Sequence, residues 1–172
     1  MSGDDHSVSY FNPGSVVWDL KSTNKYDAIR EIIHTAPIFT THETLDLRGF
    51  SQIVVAREHL QSTGFGHGVA VAHGRTDQVD EATIALGISR EGIEYDAYDG
   101  KPVHLLFIVA NHPDRQMDYL QVLSTLVLMV RDEMFRREIL DCGHADAAQE
   151  RLCRSFTHLI EQQRLRAARR TA

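Results

Sequence analysis

The run Arg57-Glu58-His59-Leu60-Gln61-Ser62-Thr63-Gly64-Phe65-Gly66-His67-Gly68-Val69-Ala70-Val71-Ala72-His73-Gly74-Arg75 holds the most informative residues of this chain. Its first four residues close a helical pattern. Ser62 to Gly68 then breaks that pattern with glycines at alternate positions. Val69 to Ala72 reads as a short apolar strand, with His73 and Gly74 at its C-terminal end. Gly64, Gly66 and Gly68 give GxGxG rather than GxGxxG, and the loop follows a helix and precedes a strand. It therefore lacks the context of a dinucleotide-binding turn, and no Lys-Ser/Thr pair closes it as in a P-loop. A glycine-rich loop still lets backbone amides converge on an anion. Gly66, Gly68 and Gly74 are the candidates for that contact. His73 is the candidate nucleophile or proton donor, because imidazole titrates near neutrality. Its place at a strand's carboxyl end is where open α/β sheets collect their sites. Arg57 is the candidate for a bidentate grip on phosphate oxygens.

Outward from this run, Thr83-Ile84-Ala85-Leu86-Gly87-Ile88 reads as a second strand, and Tyr98-Asp99-Gly100-Lys101 as a turn that exploits Asp-Gly. Val103 to Val109 is strongly apolar with one histidine inside, as a strand buried on both faces would be. No helix separates these two strands, so the sheet is expected to be mixed. Upstream, Val16-Val17-Trp18 suits a short strand or packed extended segment. Ser22-Thr23-Asn24 caps a helix carrying Tyr26, Ile29, Ile32 and Ile33, which Pro37 ends. A second helix is expected from about Thr41–Thr44 through Leu47, Phe50, Ile53 and Val54 to Leu60. Downstream, Pro113 and Asp114 open a helix whose expected buried face is Met117, Leu120, Leu123, Leu126, Val127, Val130 and Met134. A short helical piece over Phe135–Leu140 and a last helix from Asp146 to about Arg166 follow. The pattern defines an α/β class with a mixed β-sheet flanked by helices on both faces. The expected organisation is a flexible arm over 1–14, one domain over 15–165 and a basic tail over 166–172.

The chain has 172 residues, 42% hydrophobic and 24% charged, and a formal net charge of -6. That size suits one domain with its own core. The acidic balance argues against a general affinity for nucleic acid, which needs a concentrated basic surface. Cys142 and Cys153 have neither CxxC spacing nor zinc-finger partners, so no metal site and no disulfide framework are expected. The polar start Met1-Ser-Gly-Asp-Asp-His lacks the features of a signal peptide. Val103–Ala110 is too short to span a bilayer. The expectation is a cytoplasmic protein without membrane insertion. Among single residues, His104 suits a hydrogen-bonded strand histidine, His67 a solvent-facing loop residue and Glu58 a structural partner to a base. Met117, Met129 and Met134 suit core packing.

The run from Ser62 to Gly74 resembles the signature of mannitol/fructose-type IIA domains of the phosphotransferase system, shared with stand-alone nitrogen-regulatory IIA proteins: STGIG-x-GIA-[IV]-PH-[GA]. Arg57-Glu58 also matches, as do Asp99-Gly100-Lys101-Pro102-Val103 and Leu105-Leu106-Phe107. The similarity covers about residues 15–160. It implies that an HPr-type carrier presents a phosphohistidine and that His73 accepts the phosphoryl group through Nε2. Loop amides and Arg57 would hold the oxygens, with no metal or organic cofactor. Two positions depart from the pattern. Ala72 stands where the family has proline. Tyr119-Leu120 stands where the family has a His-Leu pair whose histidine lies beside the phosphorylated one; His112 lies upstream as a substitute. The reading is a phosphoryl carrier of the regulatory nitrogen branch, since the chain shows no IIB cysteine motif. The alternatives are a degenerate IIA-like binding module without phosphotransfer, or the IIA component for a fructose/mannitol-type permease. The implied partners are the carrier and then a IIB domain or a regulated target protein.

Overall fold

The computed structural model describes residue 11 and residues 13–172. The strands are β1 (Val16–Val17), β2 (Gly64–Gly66), β3 (Val69–Arg75), β4 (Thr83–Ile93) and β5 (Val103–Asn111). They form one mixed sheet in the order β1-β4-β5-β3-β2. As the absence of an intervening helix demands, β4 and β5 pair antiparallel. β3 runs parallel to β5, placing His73 opposite Val109 and Arg75 opposite Asn111.

Strand alternation sorts the side chains between two cores. Val69 and Val71 of β3 share one face with Leu105, Phe107 and Val109 of β5. That face is covered by α4 (Gln116–Arg131), α5 (Glu133–Asp141) and α6 (Ala145–Arg170). Ala70, Ala72, Leu106, Ile108 and Ala110 point the other way. They meet α1 (Lys25–Thr35), α2 (Pro37–Thr40) and α3 (Leu47–Leu60). Continuing the odd positions puts His73, Arg75 and Asn111 on the α4 side of the sheet.

Several elements differ from the sequence reading. The Asn24 side chain caps α1 as expected, accepting from the Asp27 amide at 3.1 Å. Pro37 not only ends α1 but opens α2, so α3 starts at Leu47 rather than near Thr41–Thr44. Gly64–Gly66 forms an edge strand that the glycine pattern concealed. The buried face of α4 is Tyr119, Val122, Thr125, Leu126, Met129 and Val130. Met117 at 78%, Leu120 at 47% and Met134 at 66% are exposed, which corrects the expected face. The helix is apolar nearly all round, so periodicity alone fitted two rotations. The helix α6 continues to Arg170, so most of the expected tail is its last turns. Phe11 is 2% exposed and packs edge-on to Phe156 at 5.0 Å, so the expected arm is already anchored at that residue. Gly14, at the other end of the expected arm, accepts from the Ile38 amide at 3.2 Å, and residues 1–10 and 12 lie outside the described residues. Among the described residues no helix is long and apolar enough to cross a membrane.

Candidate active site

His73 sits one residue before the middle of a tight crossing. A Cβ added to Gly74 would lie 2.9 Å from Val54 Cγ2, 3.0 Å from Ile53 Cγ2 and 3.0 Å from Phe50 Cε2. Glycine is therefore what lets α3 lie directly on β3. Arg57 follows Val54 by three residues, so the crossing carries its guanidinium to the strand end; Nη1 donates to the Gln61 carbonyl at 3.1 Å. The close approach at Gly74 thus serves a helix of the protein itself.

Glu58 fixes the end of α3. Its side chain is fully buried and accepts from the Thr63 amide at 2.8 Å, Thr63 Oγ1 at 2.6 Å and Lys25 Nζ at 3.4 Å. Thr63 Oγ1 also meets the Tyr95 hydroxyl at 2.9 Å. The expected structural role of Glu58 is the one seen: it ties α3, α1 and the strand hairpin together. His104 likewise makes a strand hydrogen bond, Nδ1 to the Ser89 carbonyl at 2.8 Å.

From the opposite side, the inward phase of α4 places Tyr119 against His73, with ring centroids 5.4 Å apart and planes at 43°. His112 does not take that place: its Nδ1 accepts from the Asp114 amide at 3.0 Å. Arg75, two residues beyond His73 on the same strand face, is exposed. Among the described residues neither Arg57 nor Arg75 forms an ion pair with a carboxylate.

These surroundings set the charge state. Burial, then the Arg57 guanidinium, hold His73 below its ordinary pKa, and Arg75 adds to the effect. The Val71 carbonyl and Glu58 pull the other way. That carbonyl falls outside hydrogen-bonding geometry, since Nδ1 of His73 is buried with no partner among the described residues. The imidazole is thus neutral at neutral pH, with a lone pair available. Burial raises the Tyr119 phenol, with Arg57 and Arg75 opposing, so its hydroxyl stays protonated and able to donate.

The other expected site residues lie elsewhere. Gly66 and Gly68 sit at the entry to β3; Gly68 is five residues from His73, roughly 16 Å at strand rise. Their φ values of 100° and 76°, with His67 at 58°, shape the hairpin turn. The exposed His67 donates its amide to Asp99 Oδ2 at 3.1 Å, and the Gly68 carbonyl accepts from His104 and Leu105. The structure therefore brings together His73, Arg57, Gly74 and Tyr119, but not Gly66 and Gly68. Two further residues, Arg75 and Asn111, share the His73 face. Alternation alone could have found Arg75, two residues from His73 on one strand, whereas Asn111 needs the register between β3 and β5.

A neutral, half-buried histidine near the carboxyl end of β3, within reach of the charges of a helix-borne arginine and a strand-borne one, marks the candidate site of this α/β protein. The chain belongs to the phosphoenolpyruvate-dependent sugar phosphotransferase system EIIA 2 family, whose profile matches residues 9–154. It is 33% identical over 129 residues to the fructose-specific EIIABC component of Bacillus subtilis, covering 75% of this chain and 20% of that one. It is 35% identical over 97 residues to the fructose-specific EIIA component of Haloferax volcanii, covering 56% of this chain and 63% of that one. The chain thus spans a fifth of the first relative's length and under two thirds of the second's. The crystal structure of nitrogen regulatory protein IIA-Ntr from Neisseria meningitidis superposes with a TM-score of 0.72 at 31% identity. That match covers 81% of this chain and 93% of the other.

Proposed function

We propose that this protein is a phosphoryl carrier in which His73 accepts phosphate from an HPr-type phosphohistidine. The observation that carries the reading is the pairing of a neutral His73 with two arginines free of carboxylates. Nδ1 is the nitrogen turned inward, which leaves Nε2 to attack. The Nε2 lone pair forms the new N–P bond as the donor's N–P bond breaks, and the donor imidazole keeps that electron pair. The Nδ1 proton stays on the ring, toward the Val71 carbonyl. Arg57 and Arg75 hold the equatorial oxygens, and Tyr119 orients the imidazole and donates one hydrogen bond. Catalysis of this kind is positioning and charge stabilisation, and it needs no covalent help from another group.

The carrier docks over an apolar rim. Ile53 and Leu60 on α3 and Met117 and Leu120 on α4 are exposed on either side of the site, and exposed apolar residues grouped this way favour protein contact. We favour the nitrogen-regulatory branch because the Neisseria likeness spans nearly all of a stand-alone IIA protein, whereas the Bacillus likeness spans one part of a longer chain. The phosphoryl group then switches a contact with a target protein by adding charge at the interface. The fructose-type relatives favour a second reading, transfer onward to the IIB domain of a permease.

The deciding experiment is intact-protein mass spectrometry at neutral or alkaline pH. The protein is incubated with phosphoenolpyruvate, the general phosphotransferase enzyme and an HPr-type carrier, beside His73→Ala. One acid-labile phosphoryl adduct on the wild type alone supports the reading. No adduct with several carriers overturns it in favour of a binding module. Discharge of the adduct by a fructose-type IIB domain would select the transport branch.

A further inference from the structure

Asn111 ends β5 at 2% exposure, and neither its Oδ1 nor its Nδ2 has a hydrogen-bond partner among the described residues. Buried side-chain amides are nearly always bonded, so a doubly unpartnered one marks a place where something else binds. The register defines where. Asn111 pairs with Arg75 and lies two residues beyond Val109, the partner of His73. It is therefore the diagonal neighbour of His73 on the same face, with Cα atoms roughly 8 Å apart from strand spacing and rise. Beyond it the chain turns into α4, whose first turn has no side-chain cap.

We infer that Asn111 is a phosphoryl-binding residue: its Nδ2 donates to an oxygen of the group carried on His73. The inference rests on the phosphoacceptor role proposed above. A phosphorylated imidazole adds about two negative charges and three acceptor oxygens. Arg57 and Arg75 reach those oxygens from the solvent side. The oxygen turned inward meets the apolar Val109 and the Tyr119 ring, where an unbonded charge is costly. Asn111 is the neutral donor on that inner side. An apolar residue at this position would suit the resting protein better, because it would leave no amide unbonded. Asparagine is favourable only in the occupied state.

The experiment compares wild type, Asn111→Leu and His73→Ala, charged either by the HPr-type carrier or by phosphoramidate, a small-molecule donor that needs no docking. Four quantities are read: the equilibrium partition of phosphate between carrier and protein, the 31P shift of the phosphohistidine, the melting temperature, and the Asn111 side-chain amide resonances in the wild type. Loss of one hydrogen bond to a charged acceptor predicts a partition about tenfold less favourable in Asn111→Leu. Its 31P resonance should move, while its melting temperature does not fall. In the wild type, which needs no variant to fold, the amide protons should shift downfield on phosphorylation. Unmoved amide protons, with Asn111→Leu partitioning within twofold of wild type, would overturn the inference and leave the phosphoacceptor role intact. An adduct that survives in His73→Ala would overturn the phosphoacceptor role itself.

Discussion

Gly74→Ala probes the contact that brings Arg57 to His73. The backbone there is not in the left-handed region, so alanine meets no conformational penalty, and only space is at issue. The new Cβ lies at 2.9–3.0 Å from three atoms of α3, whereas ordinary contact begins at 3.4 Å. Ile53, 43% exposed, can swing away; Val54 at 0% and Phe50 at 1% cannot. The helix must retreat by a few tenths of an ångström. Overpacking of this order costs about 1–3 kcal/mol. Restricting the unfolded chain returns about 0.4–1 kcal/mol. The net is a loss of roughly 1–2 kcal/mol, or a melting temperature lower by roughly 2–8 °C for a domain of this size. Thermal and chemical denaturation measure the loss. Phosphoryl uptake at limiting carrier should slow as well, though less than in Arg57→Ala, since the guanidinium is displaced rather than removed. A variant at least as stable as wild type with unchanged uptake would show that α3 is not seated on Gly74.

Glu58→Ala should cost about 3–5 kcal/mol, because it strands the Lys25 ammonium and two Thr63 donors in a buried pocket; Glu58→Gln keeps an acceptor and should cost clearly less, and equal losses in denaturant titrations would refute the network's role. His73 has a lowered pKa in the folded state, so the unfolded chain binds the extra proton first as pH falls. Its contribution to stability is therefore complete above the unfolded value and is lost as pH drops through the folded one. An NMR titration should place His73 below an ordinary histidine, and Arg57→Ala and Arg75→Ala should each raise it by removing repulsion. An unchanged or lower value in both would remove the electrostatic argument for a neutral nucleophile.

The mixed character of the sheet, though not its strand order, follows from residues the sequence displays openly. Val103–Val109 had to be central because it has no polar face, and its neighbour Thr83–Ile88 had to be antiparallel for want of a helix between them. His73 was legible as a residue toward the carboxyl end of an apolar strand, although β3 runs on through it to Arg75 rather than ending at Ala72. Tyr119 could be numbered but not oriented, since α4 has apolar residues on almost every side and only the packed sheet selects its rotation. Gly66 and Gly68 misled because glycine serves positive φ and anion contact equally, and nothing local separates the two uses. Asn111 was invisible as a site residue. Its meaning depends on the parallel register with β3, and register between strands thirty residues apart is a tertiary fact.

The two departures at Ala72 and Tyr119 motivated the reading of a degenerate module, and both have an answer in the packing. Proline before the histidine would stiffen the approach but remove an N–H from the strand. With Ala72, 1% exposed, β3 pairs with β5 at all seven positions from Val69 to Arg75 without an irregularity. The ladder therefore continues on both sides of His73 and holds its backbone in place of the ring. Tyr119 brings no positive charge, yet it packs on the His73 ring, and the charges of Arg57 and Arg75 both reach it. Beside the arginine that matches the family pattern, Arg57, the strand-borne Arg75 adds a second positive charge on this side of the sheet. The two cations help keep the imidazole neutral, and under the proposed role they would meet the phosphoryl group. Two arginines without a carboxylate partner and a buried amide without a hydrogen bond, among the described residues, have a use on one strand face beside His73 if the proposed carrier role holds, and none in a module that has lost it.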